Sequence, residues 1–227
     1  MSSITMSYSQ VLRFGWEKLK AHWKLLVVYL LVLILFNVIT GFIGSGLENV
    51  SSALAMVFNI LITIVGLFVG IAQIKLILRI VDGNATPDLK SELEVFKGYL
   101  MTSMPKVVPY FLASLAYALL VMVGLLLLIV PGIVFAIKYQ YVMYLVVDKG
   151  MGVKEAFKTS GEITQGKKLW LLGFGFVSGL LVILGFIALI IPGLLAAGVV
   201  TIGSMYIYRQ LSGAAVSPAP SKIGQIA

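Results

Sequence analysis

Residues 107–147 read VVPYFLASLAYALLVMVGLLLLIVPGIVFAIKYQYVMYLVV, an apolar run interrupted by one charge, Lys138. As a single straight α-helix this run would extend roughly 60 Å, about twice the hydrocarbon thickness of a bilayer. It must therefore fold back on itself. Pro131-Gly132 marks the place. Proline lacks the amide hydrogen and glycine adopts unusual dihedrals, so the pair predicts a tight turn between two spans. Pro192-Gly193 divides a second long run in the same way.

Outward from these hairpins the chain resolves into six apolar segments: Leu25–Gly44, Ala53–Val81, Val107–Val130, Pro131–Val147, Leu169–Ile191 and Pro192–Leu211. Of the 227 residues, 60% are hydrophobic and 11% charged. A soluble domain is about half apolar and a quarter charged, so the bilayer is the solvent that fits this composition. The expected fold is an all-α membrane protein with six transmembrane helices, forming one integral membrane domain over residues 1–211. The tail from Ser212, with Pro218 and Pro220, reads as disordered and cytosolic. The first apolar run is longer than the core of a signal peptide and reads as a retained span. Cysteine is absent, which excludes disulfides and thiolate chemistry.

The formal charge of +8 is distributed unevenly. Arg13, Lys18, Lys20 and Lys24 precede the first span. Lys75, Arg79, Lys90, Lys97 and Lys106 surround the second connection, and Lys149, Lys154, Lys158, Lys167 and Lys168 the fourth. Arg209 and Lys222 close the chain. The opposite side has two Pro-Gly turns and the Gly44–Ser52 loop, which carries Glu48 and no basic residue. The positive-inside rule then predicts the cytoplasmic (inner) membrane with both termini in the cytosol. The basic charge serves topology and anionic lipid of the inner leaflet, and no nucleic acid partner is expected.

The segments before the odd-numbered spans are amphipathic. Tyr8, Val11, Leu12, Gly15, Trp16 and Leu19 recur at helical spacing, as do Val153, Ala156, Phe157 and Ser160. Between them, Ser91 and Glu94 have capping-box spacing ahead of Phe96, Tyr99 and Leu100. Such helices lie in the membrane interface.

Two parts of the chain superpose at one fixed offset without gaps. Glu94, Phe96 and Lys97 fall on Glu155, Phe157 and Lys158; Lys106 on Lys167; Gly124 on Gly185; Pro131-Gly132 on Pro192-Gly193. A looser copy precedes them: Gln10-Val11-Leu12-Arg13 is similar to Glu155-Ala156-Phe157-Lys158, and Ile80-Val81-Asp82 to Val146-Val147-Asp148. The expected unit is an interfacial helix plus a transmembrane hairpin, used three times over about residues 8–82, 91–148 and 152–211. An even number of spans per unit keeps the copies parallel, which favours a pseudo-threefold bundle over an inverted repeat.

The run from Pro131-Gly132 through Lys138, Asp148 and Gly152, then Glu155-Ala156-Phe157-Lys158-x-Ser160 to Gly166, resembles the membrane proteins related to YciC. It is similar also to the membrane domain attached to some glycerophosphodiester phosphodiesterases. The chain departs from that pattern with Lys138 in place of a common arginine and Gly161 in place of a bulky aromatic residue. The resemblance implies an integral membrane domain. It does not imply phosphodiesterase activity, which belongs to a separate soluble domain.

Catalytic motifs are not found. His22 stands beside Trp23 at the start of the first span and reads as an interface residue; a lone histidine makes a poor metal site. No metal or other cofactor is expected, and the chain reads as a non-enzyme. The carboxylates lie among lysines and read as a solvated surface. Gly66 with Gly70, and Gly175 with Gly179, have the spacing of close helix packing.

Lys138 is the exception, because a lysine near mid-membrane costs roughly 2.5–3.5 kcal/mol on insertion scales. It is followed by Tyr139, Gln140 and Tyr141, with Gln73 and Lys75 in the second span as a weaker counterpart. Two readings are open: an anion or lipid-headgroup contact inside the bundle, or a snorkelling or structural lysine. At the level of function, the first expectation is a non-catalytic bundle that organises lipid, protein partners or further copies of itself at the inner leaflet. The alternative is a small carrier or channel for an anionic or amphipathic solute. Reporter fusions after Ala85, Lys149 and Ala227 should report cytosol, and one within Gly44–Ser52 the outside. An external signal at Lys149 would remove the hairpin topology.

Overall fold

Neither Pro-Gly pair forms a turn. The computed structural model describes residues 6–86 and 88–213, and all its elements over them are helical. Helices α5 (Met104–Leu127) and α6 (Ile129–Tyr139) are separated by Leu128 alone, whose backbone is extended at φ −162° and ψ 144°. Helices α9 (Lys168–Ala188) and α10 (Ile190–Leu211) are separated by Leu189, at φ −172° and ψ 162°. Each of these residues donates its amide to the carbonyl four positions back, and its own carbonyl accepts from Gly132 or Gly193 four positions on. One extended residue thus ends one ladder and starts the next. Pro131 and Pro192 sit in the first turn of the second helix, where an amide hydrogen has no acceptor within the helix.

The glycines do a different job. A Cβ on Gly124 would lie 2.8 Å from Gly132 Cα, and one on Gly185 would lie 2.9 Å from Gly193 Cα. Glycine lets the two arms of each hairpin leave the turn in backbone contact. The first hairpin, α2 (Trp23–Val50) and α3 (Ser52–Val81), reverses at Ser51, also extended at φ −161°. The expected Gly44–Ser52 loop is therefore mostly helix. Gly44 and Gly46 do not break it, because without a tertiary competitor their amides keep the helical ladder.

Among the described residues, six helical segments are long and apolar enough to cross a membrane: α2, α3, α5, Ile129–Lys149, α9 and α10. The fourth segment is split into α6 and α7 (Val142–Lys149) by a turn at Gln140-Tyr141. The shorter helices are α1 (Tyr8–Ala21), α4 (Leu89–Met101) and α8 (Val153–Ile163). They pack respectively on α10, α3 and α7. The cap of α4 is Asp88, which accepts from Ser91 N–H at 3.1 Å, so Ser91 is the third helical residue and not the cap.

The core is concentrated where these short helices lie. It joins the last turns of α3 (Ile71, Ile77, Val81), α7 (Val142, Leu145, Val146) and α10 (Ile202, Met205, Tyr208). Away from it, side chains such as Phe42, Leu126 and Ile187 are exposed, as lipid contact requires. On α1 the buried face is Val11, Phe14, Gly15 and Leu19, with Trp16 turned outward. Gly15 is needed because a side chain there would run into the backbone carbonyl of Val199 on α10. The tail expected from Ser212 lies, from residue 214 onward, outside the described residues.

Of the glycines with close-packing spacing, Gly66, Gly175 and Gly179 face open space, and Gly70 alone meets a neighbour, Tyr110. Spacing marks a face of a helix, not whether another helix covers it. Gly124→Ala should therefore destabilise the protein by about 1–3 kcal/mol through overpacking, whereas Gly175→Ala should be neutral or stabilising by up to about 1 kcal/mol. Denaturation of both variants in detergent checks this, and equal effects would refute the hairpin contact.

Candidate functional site

Three helices end at one side chain. Arg209, in the last turn of α10, donates Nε to Asp82 Oδ1 at 2.8 Å and Nη2 to Asp82 Oδ2 at 2.6 Å. Its Nη1 donates to Asp148 Oδ2 at 2.7 Å, an oxygen that also accepts from Tyr208 O–H at 2.8 Å. Asp82 caps α3 and Asp148 lies in the last turn of α7. The three side chains are only 11–21% exposed. A guanidinium suits this place because its planar fork grips one carboxylate with two N–H groups and has others left for the second. The two aspartates are thus structural ligands of an arginine and not part of a solvated surface.

Two polar recesses open at the same end of the molecule. One, of about 260 Å³, lies beside the triad and is walled by Lys75, Arg79, Tyr99 and Lys106. The other, of about 420 Å³, lies between α6 and α8 and is walled by Lys138, Tyr139, Lys158, Glu162, Gln165 and Lys168. A third cleft, of about 540 Å³, is apolar, opens outward between α3 and α5, and includes Asn59 and Thr63.

The groove beside α8 exists because the fourth span is broken. The turn at Gln140-Tyr141 frees the carbonyl of Lys138 from its helical partner. Ser160 Oγ of α8 donates to it at 2.9 Å, and Thr164 Oγ1, at the C-cap of α8, stands 3.2 Å from it while making its shortest bond to Ser160 O at 2.8 Å. A helix break at membrane depth is tolerated when neighbouring hydroxyls satisfy the exposed backbone in this way. Lys138 then runs across α8, with Cε 3.0 Å from a Cβ placed on Gly161 and Nζ 4.9 Å from the Tyr139 ring centre. Lys138 and Gly161 are therefore neighbours, and the lack of a side chain at Gly161 makes room for the lysine stem.

The expected site residues divide. Lys138 and Tyr139 line the groove, on the flank of the bundle and not inside it. Gln140 donates to its own helix at Ile137 O, 3.1 Å away. Tyr141 is buried in the core, with Tyr144 and Tyr208 at 6.0 and 5.9 Å between ring centres. Lys75 belongs to the other recess, and Gln73 lines neither. Consecutive helical residues point about 100° apart, so adjacency in sequence did not mean a shared site. Among the described residues, no carboxylate lies within ion-pair distance of Lys75, Lys106 or Lys138.

His22 sits at the junction of α1 and α2 with Nδ1 buried and unpartnered. Burial, then the charge of Lys18, hold its pKa below the usual histidine value against the opposing pull of Glu92. The imidazole is therefore held neutral as a packing group.

Comparison with protein-family models, curated proteins and solved structures finds no match for this chain. The triad escaped sequence reasoning, yet a signal existed. Ile80-Val81-Asp82 is similar to Val146-Val147-Asp148, and the offset that aligns the two Pro-Gly pairs sets Arg209 on Asp148.

Removing Arg209 leaves two part-buried carboxylates facing each other. Arg209→Leu should destabilise the protein by about 3 kcal/mol. Adding Asp82→Asn and Asp148→Asn to that variant should recover a large part of the loss, because the stranded charge is then gone. Denaturation of the single and triple variants tests this; equal stabilities would show that the triad is not a structural tie.

Proposed function

We propose that this chain is a non-catalytic bundle of the cytoplasmic membrane that holds anionic lipid at the inner leaflet, with both termini cytosolic. The observation that carries the reading is the groove beside α8. Lys138, Lys158 and Lys168 share its wall with one carboxylate, Glu162. It opens on the flank of the bundle, beside the amphipathic helix α8, where lipid headgroups reach it. Anionic headgroups there gain about 1 kcal/mol for each basic residue near the surface. A carrier is less favoured, because the space between α3, α7 and α10 is filled by buried Ile71, Tyr141, Leu145, Ile202 and Tyr208. Protein partners or further copies of the chain would be gathered on the same platform.

The reading includes three repeated units around a pseudo-threefold axis. Several observations support it. The three hairpins each turn on one extended residue, Ser51, Leu128 and Leu189. Each short helix packs on the second span of the unit before it, and α1 completes the cycle on α10. Ser160 lies against the carbonyl of Lys138, and its counterpart Gly15 lies against the carbonyl of Val199, the counterpart of Lys138.

The test compares melting of wild type, Lys138→Met and Lys138→Arg in detergent, with and without phosphatidylglycerol. Anionic lipid should raise the melting temperature of the wild type, since a ligand that binds only the folded state stabilises it by mass action. Lys138→Met should lose most of that rise, while Lys138→Arg keeps part of it, because charge survives and geometry changes. Identical lipid responses in all three would refute the lipid site and leave Lys138 a structural residue.

A further inference from the structure

The recess beside the triad holds more positive charge than its own carboxylates use. Asp82 and Asp148 are both taken by Arg209. Arg79 is taken by Glu92, which accepts from Nε at 3.3 Å and Nη2 at 3.2 Å. Lys75 and Lys106 remain. Lys106 donates to Val147 O at 2.5 Å, and Lys75 Nζ stands 5.0 Å from the centre of the Tyr99 ring. Neither contact neutralises an ammonium group. Each lysine presents three donors and no acceptor, so most of their N–H groups have no protein partner.

Two like charges in one recess of about 260 Å³ are unfavourable unless an anion stands between them. A phosphate group fits the chemistry: it is compact, carries up to two charges, and offers oxygen acceptors on several sides for charge-assisted hydrogen bonds. We propose that this recess binds a phosphate group, held by Lys75 and Lys106. The inference is independent of the groove beside α8, which uses other residues. A phosphate here would join α3, α4 and α5 next to the three-helix tie, so binding would stabilise the assembled end of the bundle. Inorganic phosphate and the headgroup of a phosphate-bearing lipid present the same group to the recess.

Melting of the purified full chain in detergent, with inorganic phosphate titrated against chloride at constant ionic strength, tests the first source. Mixed micelles of phosphatidic acid, with phosphatidylcholine as the neutral control, test the second. At saturation, one of the two phosphate probes should raise the melting temperature by about 3 °C or more. Lys75→Met should weaken the apparent affinity at least about tenfold, the loss of one strong charged contact. Lys75→Arg should restore much of it. Lys106→Met is the second variant, and Lys138→Met, outside this recess, should respond to inorganic phosphate as wild type does. A response to inorganic phosphate that depends on Lys75 assigns a soluble ligand. A Lys75-dependent response to phosphatidic acid alone assigns a lipid headgroup. No response to either probe that depends on Lys75 or Lys106, or a response to inorganic phosphate abolished only by Lys138→Met, would each overturn the proposal.

Discussion

The grip of Arg209 on Asp82 and Asp148 is the constraint around which the rest of the molecule is arranged. Between helices in lipid there is no hydrophobic driving force, since acyl chains are as apolar as leucine. What fixes helices to one another must be close packing or polar bonds with defined geometry. The bundle uses both, at different ends. At the turns, Gly124 meets Gly132 and Gly185 meets Gly193. At the other end, the last turns of α3, α7 and α10 are joined by one guanidinium, and the largest buried side chains gather around that join.

Much of this architecture was legible in the chain before any coordinates. Segment length and composition pointed to six helices able to cross a bilayer, which the described residues contain, and helical spacing located α1, α4 and α8. What was not legible was what each marker does. Pro131-Gly132 reads as a turn because both residues disturb helices, but the extended residue is Leu128, whose type carries no signal. A helix start tolerates Pro131 equally well, and the need for Gly132 comes from the facing arm of the hairpin. The same reason accounts for Gly175, whose spacing suggested a contact that no neighbour supplies.

The candidate sites were legible only as a list of unusual residues. Lys138 stood out because charge is rare in a span, and it does line a recess. Of its sequence neighbours Tyr139 accompanies it and the others do not: the turn at Gln140-Tyr141 sends Tyr141 into the core. Arg209 looked like one more basic residue near the end of the chain. Its importance comes from two carboxylates distant in sequence, and the faint similarity between the ends of the apolar segments was the one trace of that meeting. Ser160 and Thr164 were equally silent, because their role depends on a carbonyl released by a helix break elsewhere.

In the threefold arrangement proposed above, Asp82, Asp148 and Arg209 occupy corresponding places. A ring of three identical single-unit chains would bring three copies of one side chain to that point, and three aspartates or three arginines would repel. Covalent joining lets corresponding positions diverge, so that opposite charges can meet beside the axis. On that arrangement the tie is a product of broken symmetry. A single unit expressed alone could reproduce the helices and the hairpin, but self-association could not reproduce the chemical asymmetry that locks them.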